Sequence, residues 1–160
     1  MRKINKYLFL VNLLVAILLI SCDNNSVVDK YVSLPEMKWE AKKPVVFNVE
    51  INDTINPHNV YINIRNSSKY ENMNLFLFVH TTSPSGAELI DTLECTLADD
   101  RGKWLGSGWG DIYDNRFLYK KQVRFPVQGE YTFKITQAMR TEELRNISDI
   151  GLRIDKLEFK

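Results

Sequence analysis

Two cysteines and two histidines are the strongest nucleophiles and the readiest metal ligands in this 160-residue chain. Of the four, Cys22 alone stands in a context that assigns it a reaction. It follows Leu19-Ile20-Ser21, behind Arg2, Lys3 and Lys6 and a run from Tyr7 to Ile20 broken only by Asn12. A basic start, an apolar stretch short of the ~20 residues that span a bilayer, and a small residue before the cut are the marks of a signal peptide. A cysteine just after the cut is the thiol that takes diacylglycerol in bacterial lipoproteins and then, as the new amino terminus, an N-acyl chain. The sequence therefore predicts cleavage between Ser21 and Cys22, covalent lipid on Cys22 and no other cofactor. The alternative is an ordinary secretory signal or a short membrane anchor in which the cysteine is incidental.

The remaining candidates for chemistry are thin. If Cys22 carries lipid, Cys95 has no partner for a disulfide, and its alternating surroundings predict a small buried apolar residue. His58 follows Pro57 in a turn and His80 ends an apolar run; neither belongs to a His-Glu-x-x-His pair or another metal-ligand spacing. No Gly-x-Ser-x-Gly elbow, phosphate-binding loop or dinucleotide fingerprint is present. Asp99-Asp100 and Asp111-x-x-Asp114-Asn115 offer oxygens to calcium but lack the EF-hand spacing, and read as acidic turns. No enzyme and no metal site is expected.

One segment has a composition suited to recognition. Trp104-Leu105-Gly106-Ser107-Gly108-Trp109-Gly110 sets two large rings among glycines that let the backbone turn and pack closely. Exposed tryptophans could stack on sugar rings or anchor a protein interface. Equally, both rings could cover an open end of a core. The covering role suits Trp104, which follows a polar turn, and the role of Trp109 stays open.

Whatever these residues do, the elements that position them are strands. Residues 1–21 hold three of the 21 Lys/Arg and none of the 20 Asp/Glu, so the remainder carries 18 basic against 20 acidic residues. That balance disfavours nucleic acid and bulk attraction to anionic lipid. Residues 22–38 read as the lipidated start and a polar tether, and 39–160 as one domain. From Pro44 the apolar period is two. Val45 to Ile51 and Val60 to Ile64 alternate, and Leu75 to Val79 is apolar on both faces, which predicts a central strand covered on both sides. Ser83-Pro84-Ser85-Gly86 suits a hairpin turn into Leu89–Leu97. Residues 98–116 form the longest irregular stretch. Strands resume at Phe117–Phe125 and Tyr131–Thr136, and at Leu152–Phe159, where a parity switch at Asp155-Lys156 predicts a bulge. Only Thr141–Arg145 looks helical, for one or two turns. The expected fold is all-β, a single antiparallel β-sandwich of jelly-roll or immunoglobulin-like type, with about seven to nine strands.

Read in order, several short motifs resemble the gliding-motility lipoprotein GldH family. They are Phe47-x-Val49-x-Ile51-x-Asp53-Thr54, Tyr61-x-x-Ile64-Arg65-Asn66, Tyr70 and Asn74-Leu75 in the first half. The second half adds Asp91-Thr92, Leu97-Ala98-Asp99, Gly102-Lys103-Trp104-Leu105-Gly106-x-Gly108 and Phe125-Pro126-x-x-Gly129-x-Tyr131-x-Phe133. Gln137-Ala138-Met139-Arg140 and Asp149-Ile150-Gly151-Leu152 close the likeness. The resemblance implies a non-catalytic envelope lipoprotein of the Bacteroidota, an accessory of the gliding apparatus that works with type IX secretion. It implies a lipid-anchored location at the outer membrane, on a face left open, and partners among the other envelope proteins of that machinery. Arg65, Tyr70, Trp109, Tyr113 and Arg140 are the candidate partner contacts. A glycan-binding module on the envelope is the second reading.

Overall fold

In a computed structural model of the chain, which describes residues 25–158, the alternation seen in the sequence becomes a burial pattern. Along Val45–Ile51 each odd residue is buried and each even one exposed, as a strand with one face on a core requires. Ser21, Cys22 and the signal segment 1–21 lie outside the described residues, as does Phe159.

Among the described residues eleven strands follow one another: β1 (Ser26–Ser33), β2 (Lys38–Glu40), β3 (Val45–Ile51), β4 (His58–Ser67), β5 (Asn74–Thr82), β6 (Glu88–Thr96), β7 (Ser107–Trp109), β8 (Ile112–Val123), β9 (Gly129–Gln137), β10 (Glu143–Arg145) and β11 (Ile147–Lys156). A five-stranded sheet in the order β1-β11-β4-β8-β7 packs on a four-stranded sheet in the order β3-β9-β5-β6, and β2 pairs with β10 in a small third sheet. Every pairing is antiparallel. The sandwich is thus the predicted architecture with a few more strands. Its core joins Ile62, Ile64, Ile150 and Leu152 of one sheet to Phe47, Leu75, Leu77, Val79, Phe133 and Ile135 of the other. Each such side chain contributes roughly 1.5–3 kcal/mol on burial.

Five expectations change. Within 98–116, read as irregular, Ser107–Trp109 forms β7 and β8 begins at Ile112 instead of Phe117. The polar stretch read as a tether belongs largely to the fold: β1 is an edge strand paired with β11, with Val28 in the core. Thr141–Arg145 is not helical; Leu144 pairs with Trp39 across β10 and β2, and both side chains are buried. Burying those two outweighs the weak local preference for a helical turn. β5 is central in its sheet, but its outer face is bare, and Phe78 is 47% exposed. Finally, β11 continues to Lys156; its pairing with β4 shifts register at Ile147–Asp149, and the irregularity next to Asp155 lies across from it, between Ser26 and Val28 of β1.

The registers define two ends. Ser26 pairs with Asp155, Asp155 with Asn59, and His58 with Val123, so the chain enters at the end that holds the 52–57, 83–87 and 124–128 connections. Ser33 pairs with Asp149, and Asn66 with both Ile147 and Tyr113. This opposite end, about 25 Å away along an eight-residue strand, holds the 68–73, 97–106, 110–111 and 138–142 connections.

Candidate partner-binding site

The glycine-rich segment builds a short hairpin at the end far from Ser26. Gly108 pairs with Tyr113 and Trp109 with Ile112. A Cβ at Gly108 would stand 2.0 Å from the Ile112 carbonyl oxygen, and Gly110 turns the chain at φ 71°; neither position accommodates an ordinary side chain. This geometry leaves Trp109 at the tip, 97% exposed. A ring that size in water contributes nothing to the core and presents a large amphipathic surface of the kind enriched in interfaces.

Beneath the hairpin the rings turn inward. Asp99 caps a tight turn, its Oδ1 accepting the Arg101 and Lys103 N–H groups at 3.0 and 2.8 Å. The turn leads into half-buried Trp104, whose ring lies 6.5 Å from Tyr70 and 5.7 Å from Tyr113. Tyr70 is only 5% exposed and its hydroxyl donates to the Asn74 carbonyl at 3.1 Å; burial pushes its phenol up to about 12. As a candidate contact Tyr70 is therefore corrected to a plug of the core. Tyr113 is half-buried against Trp104, and the next inward residue, Asn115, donates to Asn66 Oδ1 at 2.9 Å in a buried amide pair. The acidic run 111–115 is thus divided between a turn, a surface ion pair and this amide pair. Among the described residues no group of three or more His, Cys, Asp or Glu is placed to hold a metal ion. Cys95 is fully buried, and burial pushes its thiol up to about 12, which keeps it protonated and unreactive.

Arg65 lies on the outer face of the five-stranded sheet, already engaged. Its Nε donates to Asp114 Oδ2 at 2.9 Å and its guanidinium sits 3.9 Å over the Tyr31 ring, while the Tyr31 hydroxyl donates to Asp114 at 3.2 Å. The carboxylate of Asp114 holds Arg65 above its ordinary value; burial first, then Asp114, raises the Tyr31 phenol. The same face carries Arg153 on Asp29 at 2.7 Å and Arg116 on Asn63 Oδ1 at 3.1 Å. Gly151 makes room for Tyr31, since a Cβ there would meet its ring at 2.9 Å. The partly exposed ion pairs contribute little each, about 0.2–1 kcal/mol.

The candidates thus divide. Arg65, Tyr70, Tyr113 and Trp109 gather toward the far end, but only Trp109 among them offers an unoccupied side chain. Arg140 is exposed in the connection from β9 to β10 at the same end, on the four-stranded side. Tyr31, Asp29, Arg116 and Arg153 were missed. Their polar types at alternate strand positions mark an outward face, but which of them meet depends on pairings between strands far apart in sequence.

A profile of the GldH lipoprotein family matches residues 26–154. The chain is 38% identical over 147 residues to the gliding motility lipoprotein GldH homolog of Christiangramia forsetii, covering 88% of this chain and 90% of that one. It is 37% identical over 151 residues to gliding motility lipoprotein GldH of Flavobacterium johnsoniae, covering 90% and 93%. Among solved structures, one titled "Structure of infectious bursal disease virus Gx strain" aligns with 81% of this chain and 32% of that one, at 8% identity and a TM-score of 0.33.

Proposed function

Since the chain belongs to the GldH lipoprotein family, whose members serve gliding motility, we propose that it is a non-catalytic accessory of the gliding machinery linked to type IX secretion. Lipid on Cys22 holds it at the outer membrane, and the far end of the sandwich docks envelope proteins through Trp109. The observation that carries this reading is the position of Trp109: almost fully exposed, on a short paired hairpin, at the end opposite the one that holds Ser26. A ring so placed points away from the anchoring membrane and toward whatever lies across from it.

The tether is tested first. Cys22→Ala should move the protein from the membrane to the soluble fraction, and its retention in membranes would overturn the lipid reading. Crosslinking and affinity purification of the tagged lipoprotein from native envelopes should then recover its partners. Trp109→Ala should lose them at unchanged protein level; equal recovery would remove the hairpin from the docking surface. The glycan reading receives less support, because Trp104 is packed between Tyr70 and Tyr113 and Tyr31 is covered by Arg65. Trp109 is the one tryptophan among the described residues that offers a free platform, and no second exposed ring is shown beside it where a sugar chain calls for two or three.

A further inference from the structure

At the end where the chain enters, the two sheets do not close on each other. Between β6 and the last residues of β8 they leave an open-mouthed cavity of about 370 Å³. Its walls are Val60, Tyr119, Val123, Phe125, Tyr131 and Phe133, with half-exposed Leu89 and exposed Ala87 at the mouth. An apolar cavity of ~150 Å³ already holds benzene, and small-molecule sites begin at about 300 Å³. Tyr119 and Lys120 clasp Asp91 of β6 at 2.5 and 2.8 Å, which holds the two sheets at a set separation beside the cavity.

Three charged residues line the cavity, Glu88 on one wall and Lys120 and Arg124 on the other. Lys120 is paired with Asp91, and Glu88 at the mouth lies 3.4 Å from His80. Arg124, which lines the cavity, and the nearby Lys121 are exposed and make no ion pair among the described residues. An apolar slot with an unpaired cation at its mouth complements an alkyl chain that ends in an anion.

Position supplies the third term. Cys22 is four residues before Ser26, a backbone reach of at most about 14 Å, so lipid on Cys22 would hold the end of the sandwich that contains Ser26 and the cavity close to the bilayer. We propose that the cavity seats one acyl chain of an anionic phospholipid of the tethering membrane, with Arg124 at its phosphate. The placement near the bilayer rests on the tether described above. The site would orient the sandwich on the membrane, so that the Trp109 hairpin points outward instead of swinging freely.

The test uses the full chain in membranes of cells fed a diazirine-bearing long-chain fatty acid that enters their phospholipids. After irradiation, mass spectrometry should place phospholipid adducts on residues 84–91 and 117–126. Leu89→Glu, which sets a charge in the mouth, should lower them about tenfold or more, and Ala87→Trp, which plugs it, should do the same by a route that leaves the charge unchanged. Both positions are exposed, so neither change threatens the fold. Arg124→Gln, which removes one cation, should lower labelling about fivefold, since one basic residue at an anionic surface is worth about that factor. Adducts spread evenly over the surface, or unmoved by Leu89→Glu and Ala87→Trp, would overturn the site. So would a crosslink from the cavity to the peptide carrying Cys22, because the occupant would then be the protein's own acyl chain. Failure of the tether is read separately, from the membrane fraction of Cys22→Ala before irradiation.

Discussion

At the far end of the sandwich three rings, Tyr70, Trp104 and Tyr113, plug the gap between the sheets, whereas at the end where the chain enters the same gap is a cavity lined by Phe125, Tyr131 and Phe133. Both ends have aromatic residues in supply, so composition does not set the difference. What differs is the chain between them. The 97–106 connection folds back through the Ala98–Trp104 bridge and carries a ring into the gap. The 83–87 turn is tight and carries none, and β7, with three residues, leaves the rest of the β8 edge uncovered. The end that is closed against water can present one free side chain on a rigid base; the end that is open can admit a ligand.

Breaking the plug should have the largest effect. Tyr70→Ala removes a buried ring and leaves the Asn74 carbonyl without its hydroxyl partner, and should cost about 3–5 kcal/mol in urea melts. A loss under about 1 kcal/mol would show that the far end is not closed by these rings.

A smaller change is expected at the open end. His58 is fully buried, its ring edge-on to Phe125 at 5.2 Å, and its nitrogens make no well-formed hydrogen bond, with only the Asn56 backbone close enough to act on them. Burial lowers its pKa, against an opposing pull from Asp53. The folded state therefore holds it neutral while the unfolded chain takes a proton near the ordinary value of about 6.5. Its stabilising contribution is full above that value and is lost as pH falls below it. His58→Leu should gain about 1 kcal/mol by removing a poorly partnered polar group and flatten the stability profile between neutral and mildly acidic pH. An unchanged slope in melts across that range would assign the pH dependence to other groups.

The smallest stability effect should belong to Trp109→Ala, within about 0.5 kcal/mol by thermal unfolding, because the ring touches almost nothing. Its cost should fall on partner recovery alone. A large loss of stability would mean that the ring packs on the domain, and the contrast between a plugged and a presented tryptophan would fail.

The strands most legible in the sequence were those with one wet and one dry face. β3, β4, β6, β9 and the centre of β11 alternate plainly, and Ser83–Gly86 announced the β5–β6 hairpin. β1 escaped because an edge strand buries little: Val28 is in the core, but Asp29, Lys30 and Ser33 give the segment the look of a linker. β10 escaped because three residues carry no period, and Glu142-Glu143-Leu144 suits a helical turn until Trp39 is set opposite. The outer face of β5 misled for the opposite reason; Phe76 and Phe78 read as buried, yet no layer covers them.

By itself the sequence determined the fold class, through alternation that only a half-buried sheet satisfies, and the family, through the order of its short motifs. It also singled out Trp104 and Trp109 as a pair set among glycines. Tertiary structure alone decided that one of them plugs the core and the other stands in water, because that depends on which rings lie across the gap and on the space that Gly108 leaves beside Ile112. It decided as well that Arg65 is spent on Asp114 and Tyr31, and that the β6–β8 side stays open. Contacts between strands distant in sequence follow from register and sheet order, which no local pattern encodes.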